Sequence, residues 1–200
     1  MEQQTEEIRN KQPLNNNALL DRSFLLHAIE LARLGYGRVS PNPYVGAVLV
    51  KEGTIIGEGY HKCAGKAHAE VNAINDALEK GHAVEGATLY ITLEPCCFKG
   101  KTPACTDLIL KSGIKRVVTA IEDPNPQVAG NGHLILKNAG IEVETNLLVS
   151  EGLALIRVFM MNQTLKRPFV TLKAALSLDG KLATKTKDSK WITGEAARKK

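Results

Sequence analysis

No run of apolar residues in this chain approaches the ~20 that a bilayer-spanning helix requires, and the polar start Met1-Glu2-Gln3-Gln4-Thr5-Glu6-Glu7 lacks the basic and apolar regions of a signal peptide. A cytoplasmic protein with no membrane partner is the expectation. Internal repeats and low-complexity tracts are also missing, which sets aside solenoids and tethers. The Lys and Arg residues are scattered rather than gathered in a stripe with interleaved aromatics, and the net charge of +5 is modest, so a nucleic-acid partner is not expected. Cysteine is scarce: four residues in an intracellular chain favour metal or reactivity over a disulfide framework.

What is present suits an α/β fold. With 44% hydrophobic residues in 200, the chain can bury the core of one domain and still carry an appendage. Residues 1–20 are polar and aperiodic and read as a flexible lead-in. From Asp21, the residues Phe24-Leu25, Ile29 and Leu31-Ala32 mark an amphipathic helix that Gly35 and Gly37 end. Val45 to Val50 and Thr54 to Gly59 read as a hairpin around Glu52-Gly53. His68 to Leu78 reads as helix, and Ala87 to Leu93 as a strand buried on both faces. Pro95 suits the first turn of a following helix, which would put Cys96 at a helix start and continue through Asp107 to Lys111. Arg116 to Ile121 (strand), Gly132 to Ala139 (helix), Glu142 to Thr145 (strand) and Glu151 to Gln163 (helix) complete a sheet between helices. A linker follows near Lys166-Arg167-Pro168. The last residues, Ala196-Ala197-Arg198-Lys199-Lys200, read as a helix interior, so the chain is expected to be an N-terminal fragment.

Three pieces carry chemistry: His68-Ala69-Glu70, Pro95-Cys96, and Cys105 in Thr102-Pro103-Ala104-Cys105. One imidazole and two thiolates supply three ligands to a zinc ion and leave its fourth position open to water, while a nearby carboxylate can move protons between that water and a departing amine. Glu70 is too near His68 in sequence for both to bind one metal easily, yet it can reach water beside it. Each residue alone has a plainer reading, His68 as a solvated ring and Glu70 as a first-turn carboxylate. Their order with Cys96 and Cys105 favours the metal site. Cys63 and Cys97 lack this context and read as small buried hydrophobes.

The deaminase signature H-x-E then P-C-x-x-C is stretched here, since Cys96 and Cys105 are nine positions apart. With the intervening loop included, Leu93-Glu94-Pro95-Cys96, Gly100-Lys101-Thr102-Pro103 and Cys105 resemble the deaminase domain of the bifunctional riboflavin-biosynthesis deaminase/reductase family. Pro41-Asn42-Pro43-Tyr44-Val45-Gly46 upstream, and Asp123-Pro124-Asn125-Pro126 with Val128-Ala129-Gly130-Asn131-Gly132 downstream, extend the likeness. Arg167-Pro168-Phe169-Val170, Ser177-Leu178-Asp179-Gly180 and Trp191-Ile192-Thr193-Gly194 resemble the start of that family's reductase domain.

The resemblance implies a three-layer α/β/α cytidine-deaminase-like fold with a mixed sheet. It divides the chain into a lead-in (1–20), a zinc deaminase domain (21–147), a helix and linker (148–166) and the truncated start of an α/β reductase domain (167–200). It implies zinc held by His68, Cys96 and Cys105, with Glu70 as proton shuttle. The implied reaction releases ammonia from 2,5-diamino-6-ribosylamino-4(3H)-pyrimidinone 5′-phosphate, giving 5-amino-6-(5-phosphoribosylamino)uracil. Asn42, His61, Lys101, Thr102, Asp123 and Asn125 match the pocket for this phosphorylated pyrimidine, and Lys101 and Thr102 could hold the phosphate. In the reductase part, Ala175 and Trp191 match positions near NADPH and Ser189 one near substrate; the incomplete domain is expected to be inactive alone. This chain has Cys97-Phe98 where the family usually carries Ser-His, so a stacking surface replaces a polar contact. A homo-oligomer is compatible with a fold that commonly buries surface between subunits.

Two other readings use the same residues. A different deaminase of the superfamily, acting on a free base, nucleoside or tRNA, would keep the zinc without the Asp123-Pro124-Asn125-Pro126 and Ser177-Leu178-Asp179-Gly180 blocks. A structural zinc would need a fourth protein ligand, Cys97 or Cys63.

Overall fold

Strand β1 (Gly46–Lys51) buries both of its faces, with Ala47 and Leu49 on one side and Val48 and Val50 on the other. Side chains alternate along a strand, so a run apolar at every position belongs at the centre of a sheet covered on both sides. The same alternation recurs in β3 (Thr88–Ile91), where Leu89 and Ile91 oppose Tyr90, and in β4 (Arg116–Thr119), where Val117 opposes Val118. In this computed structural model, which describes residues 16–100 and 103–199, β2 (Thr54–Tyr60) and β5 (Glu142–Glu144) complete a five-stranded sheet of order β2-β1-β3-β4-β5. β1 runs antiparallel to β2 and β3, and β3, β4 and β5 are parallel. The sheet is mixed, as expected from the sequence.

Helices fill both faces. Helix α1 (Asn16–Arg33) contributes Leu25, Ala28, Ile29 and Ala32 to one core, joined by Leu148, Leu155 and Ile156 at and within α5 (Val149–Leu165). The opposite core holds Ala69, Ala73, Ile74 and Ala77 of α2 (Ala69–Glu79), Ile109 of α3 (Cys105–Lys111) and Leu136 of α4 (Asn131–Asn138). Helix α2 lies unusually close to β2: a Cβ at Gly59 would stand 2.3 Å from the Ala73 nitrogen and 2.4 Å from the Ala69 carbonyl oxygen. Only glycine permits that approach, and it fixes the start of the helix that carries Glu70. A polar cluster ties α1 to the sheet on the other side. The Tyr90 hydroxyl donates to Asp21 Oδ1 at 2.6 Å, and Arg116 grips both Asp21 oxygens at 2.8 Å while also pairing with Glu142 and Glu144.

Several boundaries differ from the sequence expectation. Helix α1 starts at Asn16, inside the stretch read as lead-in; Leu19 and Leu20 are exposed, so the early turn extends the helix without an apolar face to announce it. Residues 1–15 of that stretch lie outside the described residues. Pro95 and Cys96 are not helical. The helix begins at Cys105, after Pro103 and Ala104, so Cys105 is the thiol at a helix start. A proline suits a first turn only if helix-forming residues follow, and Gly100 and Pro103 interrupt that segment. Cys63 is exposed and Cys97 half-buried, so neither is the buried hydrophobe expected.

The chain divides between Arg167 and Pro168 into two compact units. In the second, the Ser177 N–H donates to the Lys181 carbonyl and the Lys181 N–H donates to Ser177 Oγ, both at 2.9 Å around a turn, and the Arg198 guanidinium from α6 (Glu195–Arg198) stacks 4.1 Å over the Trp191 ring. No helix among the described residues is long and apolar enough to cross a membrane.

Candidate metal centre and active site

His68 caps the N-terminus of α2 in extended conformation, Cys96 follows the β3 end, and Cys105 opens α3. The topology delivers these three side chains to one place. His68 Nδ1 is 3.3 Å from Cys105 Sγ and 3.6 Å from Cys96 Sγ, and all three donor atoms lie within 4.8 Å of one another. The Cys105 backbone N–H also donates to Cys96 Sγ at 3.4 Å. One nitrogen and two soft sulfurs form the donor set of a three-ligand zinc site. Neither cysteine named as a fourth ligand joins this group: Cys63 is exposed, and the Cys97 thiol is directed to the Gln127 carbonyl at 3.7 Å.

The electrostatics suit a cation. Hydrogen bonding from Cys105 brings the Cys96 thiol down to about 4 against the opposing effect of burial, and the His68 contact adds to the fall. The same hydrogen bond, with burial and the nearby Glu70 charge, pushes Cys105 up, so the two sulfurs share one proton. Hydrogen bonding to Cys96 raises His68 despite its burial. A divalent cation in place of the shared proton would be held by two thiolates and a neutral imidazole.

Glu70, 3% exposed in the first turn of α2, is pushed up to about 7 by burial and by the Cys96 charge, with His68 acting in the other direction. It lines a cavity of about 420 Å³ together with His68, Cys96, Asn42, His61, Asp123 and Asn125. Within it, His61 Nδ1 is 3.0 Å from the Ala67 carbonyl oxygen, an acceptor only, so that nitrogen carries the proton. His61 Nε2 therefore accepts from the Asn42 amide nitrogen at 3.0 Å, which orients that amide and leaves its oxygen as an acceptor. Burial holds His61 below its ordinary value, in keeping with a neutral ring. Asp123 is pushed up to about 6, by burial first and then by the neighbouring Glu94 and Cys96 charges, although the Asn125 N–H opposes this with a 2.8 Å hydrogen bond.

Lys101 and Thr102 lie outside the described residues. Ala175, Ser189 and Trp191 belong to the second unit, where all three are exposed. Two wall residues from α5, Phe159 and Gln163, escaped the sequence reading, which treated that helix as a connector; only the folded chain returns them to the pocket. Phe98 lines the same cavity and is 41% exposed. Glu94 was also missed. It is grouped with Glu122 and His133, but its oxygens already accept backbone N–H groups from Asp123, Gly130 and His133.

Residues 20–121 match the sequence pattern of the cytidine and deoxycytidylate deaminase zinc-binding region, which takes in every member of the His68, Glu70, Cys96 and Cys105 cluster. The chain belongs to the cytidine and deoxycytidylate deaminase family. Within that deaminase family it is similar to the riboflavin biosynthesis protein RibD of Bacillus amyloliquefaciens, with 56% identity over 179 residues, covering 90% of this chain and 47% of the relative. RibD of Aquifex aeolicus is 53% identical over 180 residues, covering 90% of this chain and 50% of that protein. A crystal structure of a diaminohydroxyphosphoribosylaminopyrimidine deaminase/5-amino-6-(5-phosphoribosylamino)uracil reductase from Thermotoga maritima superposes with a TM-score of 0.87 at 52% identity, covering 92% of this chain and 52% of that one. The deaminase fold expected from the sequence is therefore the observed one. Residues 168–200 match the RibD C-terminal domain, and the chain spans about half the length of the curated relatives it matches.

Proposed function

We propose that this chain carries out zinc-dependent hydrolytic deamination of 2,5-diamino-6-ribosylamino-4(3H)-pyrimidinone 5′-phosphate to 5-amino-6-(5-phosphoribosylamino)uracil, the deaminase step of riboflavin biosynthesis. The observation that carries the reading is the meeting of His68, Cys96 and Cys105 beside the buried carboxylate of Glu70 at the wall of one pocket. The likeness to RibD proteins and to the Thermotoga maritima enzyme supports the substrate.

His68, Cys96 and Cys105 would hold the zinc, which when bound supplies Lewis-acid activation of water. Glu70 takes a proton from the attacking water on its carboxylate and returns it to the leaving amine, while the second proton of that water ends on the adjacent ring nitrogen, so N=C–NH2 and water become HN–C=O and ammonia with no net proton change. Asn42 offers its amide oxygen to an N–H of the pyrimidine, because His61 occupies the other end of the amide. Asp123 and Asn125 line the same pocket. Lys101 and Thr102 are assigned to the 5′-phosphate through their loop. In the longer protein, NADPH-dependent reduction of the ribosyl group is assigned to the domain that residues 168–200 begin, with Ala175 and Trp191 near the cofactor and Ser189 near substrate. A cytoplasmic homo-oligomer acting on small molecules, without nucleic-acid or membrane partners, completes the assignment.

Ammonia release tests the substrate. The phosphorylated aminopyrimidine should outperform its dephosphorylated form, cytidine and deoxycytidylate. Lys101→Ala should weaken use of the phosphorylated compound about ten-fold or more, the effect of losing a charge-assisted contact of about 1.5–3 kcal/mol, and should leave the dephosphorylated one nearly unchanged. Faster turnover of cytidine would move the chain to another branch of the superfamily.

A further inference from the structure

We propose that Glu94 is a positioning residue for this deamination: its carboxylate locks the pocket wall bearing Asp123 and Asn125 to the segment that leads to Cys96. The inference rests on the proposed reaction for its substrate, and on the structure for its contacts. Glu94 is 3% exposed, and its side chain is fully buried. Its Oε2 accepts the Asp123 N–H at 3.1 Å and the Gly130 N–H at 2.9 Å, while its Oε1 accepts the His133 N–H at 3.2 Å. A single oxygen thus holds both ends of the 123–130 loop. The second oxygen holds the first turn of α4.

Inside that closure the loop bonds to itself. Asp123 Oδ1 accepts the Asn125 N–H at 2.8 Å, Asn125 Oδ1 accepts the Gln127 N–H at 3.1 Å, and the Asn125 carbonyl accepts from Val128 and Ala129. These internal bonds shape the loop but do not attach it to the sheet. Attachment comes from Glu94, whose own N–H donates to the Ile121 carbonyl at 3.1 Å, from the Cys97 thiol on the Gln127 carbonyl at 3.7 Å, and from the close approach at Gly132. A Cβ on Gly132 would stand 2.2 Å from the Pro95 carbonyl oxygen and 3.1 Å from Glu94 Oε1, so α4 can begin against this segment only with glycine there. His133 adds a ring nitrogen 3.8 Å from the carboxylate while its other nitrogen meets Thr119 Oγ1 at 3.1 Å. Glu94 therefore connects two parts of the site that approach from different elements: the Cys96 segment and the pocket wall bearing Asp123 and Asn125.

The test uses the zinc-loaded full chain and Glu94→Gln, which keeps the shape but turns one acceptor oxygen into a donor facing backbone N–H groups. Zinc should stay near one per chain. KM for the phosphorylated aminopyrimidine should rise about ten-fold or more while kcat changes less than about three-fold, the pattern of weakened substrate binding. Calorimetric Kd for the product should weaken in parallel. The amide protons of Asp123, Gly130 and His133 should shift in NMR spectra and exchange faster, with those of α1 unchanged. Glu94→Asp, which keeps the carboxylate but shortens its reach, should fall between wild type and Gln, and it carries the same test should the Gln variant fail to fold. Wild-type KM and Kd in a folded, zinc-replete variant with faster-exchanging loop amides would overturn the proposal, leaving Glu94 a stability element alone. Zinc loss with the loop amides still protected would also overturn it, in favour of a role in placing Cys96. If the wild type releases no ammonia, the assigned reaction fails, while the amide shifts and Kd still judge Glu94.

Discussion

Asn42 and His61 act as one unit: a 3.0 Å hydrogen bond between them is given its direction by a third group, the Ala67 carbonyl on the far side of the imidazole. Because a carbonyl can only accept, the proton sits on Nδ1, Nε2 accepts, and the Asn42 amide has one orientation.

That coupling is measurable. Asn42→Ala and His61→Ala should each raise KM for the aminopyrimidine about ten-fold, consistent with loss of about 1.5 kcal/mol from a substrate hydrogen bond, with zinc retained. The double variant should cost little more than either single change, since both remove the same oriented acceptor. Additive losses in the cycle would mean that His61 meets substrate independently of Asn42.

The ligand set makes a separate prediction. Cys96→Ser, Cys105→Ser and His68→Ala should each lose stoichiometric zinc by metal analysis, because removing one of three donors leaves too weak a site. Cys63→Ser and Cys97→Ser should keep it, given an exposed thiol in one case and a thiol directed to the Gln127 carbonyl in the other. Full occupancy in Cys105→Ser would show that another side chain completes the site.

Periodicity made the scaffold legible. A helix with a spaced apolar face, such as α2, announces itself by the period of the element, whereas β1 is a short unbroken apolar run, legible by its length and by the Glu52-Gly53 turn that follows it. The metal ligands could be read because residue type and order carry the chemistry. The Cys96 segment could not be read this way: its conformation depends on a nonlocal framework in which Cys105 N–H and Thr106 N–H reach back to Cys96, and no local pattern encodes those bonds. Glu94 went unread for a related reason. A glutamate beside a strand end looks solvated until residues far along the chain bring three N–H groups to it. Phe159 and Gln163 likewise become pocket residues only when α5 packs back on the sheet.

Asp21 gives the pH dependence. Burial alone would raise its carboxyl, but the hydrogen bonds and charge of Arg116 and the Tyr90 hydroxyl outweigh it, so the folded value lies below the ordinary one. A carboxyl depressed on folding stabilises the native state above its unfolded pKa, and that contribution is lost as pH falls through the folded value. The groups facing the pair are Tyr90 on β3, Arg116 on β4 and, across Arg116, Glu142 and Glu144 on β5. Asp21→Asn should cost about 1–3 kcal/mol at neutral pH, less than a wholly buried pair because the Arg116 side chain is 21% exposed. Denaturant titrations at several pH values check this: the gap between wild type and variant should narrow below pH ~4, near the ordinary aspartate value. A constant gap down to strong acid would show that packing, not the ion pair, is what the substitution removes.

Glu70 tests the chemistry itself. It is buried at the start of α2, two positions from His68 on the wall of the cavity, so a carboxylate there can reach water beside the metal ligands without joining them. Glu70→Gln keeps the volume and the hydrogen-bonding reach but cannot accept a proton from water and return it to the leaving amine. Zinc content and product affinity should therefore remain near wild type, while kcat for ammonia release falls by about 10²–10⁴, the range for lost general acid–base catalysis. The split matters because a damaged metal site would lower zinc and kcat together. Wild-type turnover in the zinc-replete variant would remove Glu70 from the proton path. Of the other carboxylates on the cavity wall, Asp123 would then take its place as the candidate, since Glu94 already spends both oxygens on backbone N–H groups.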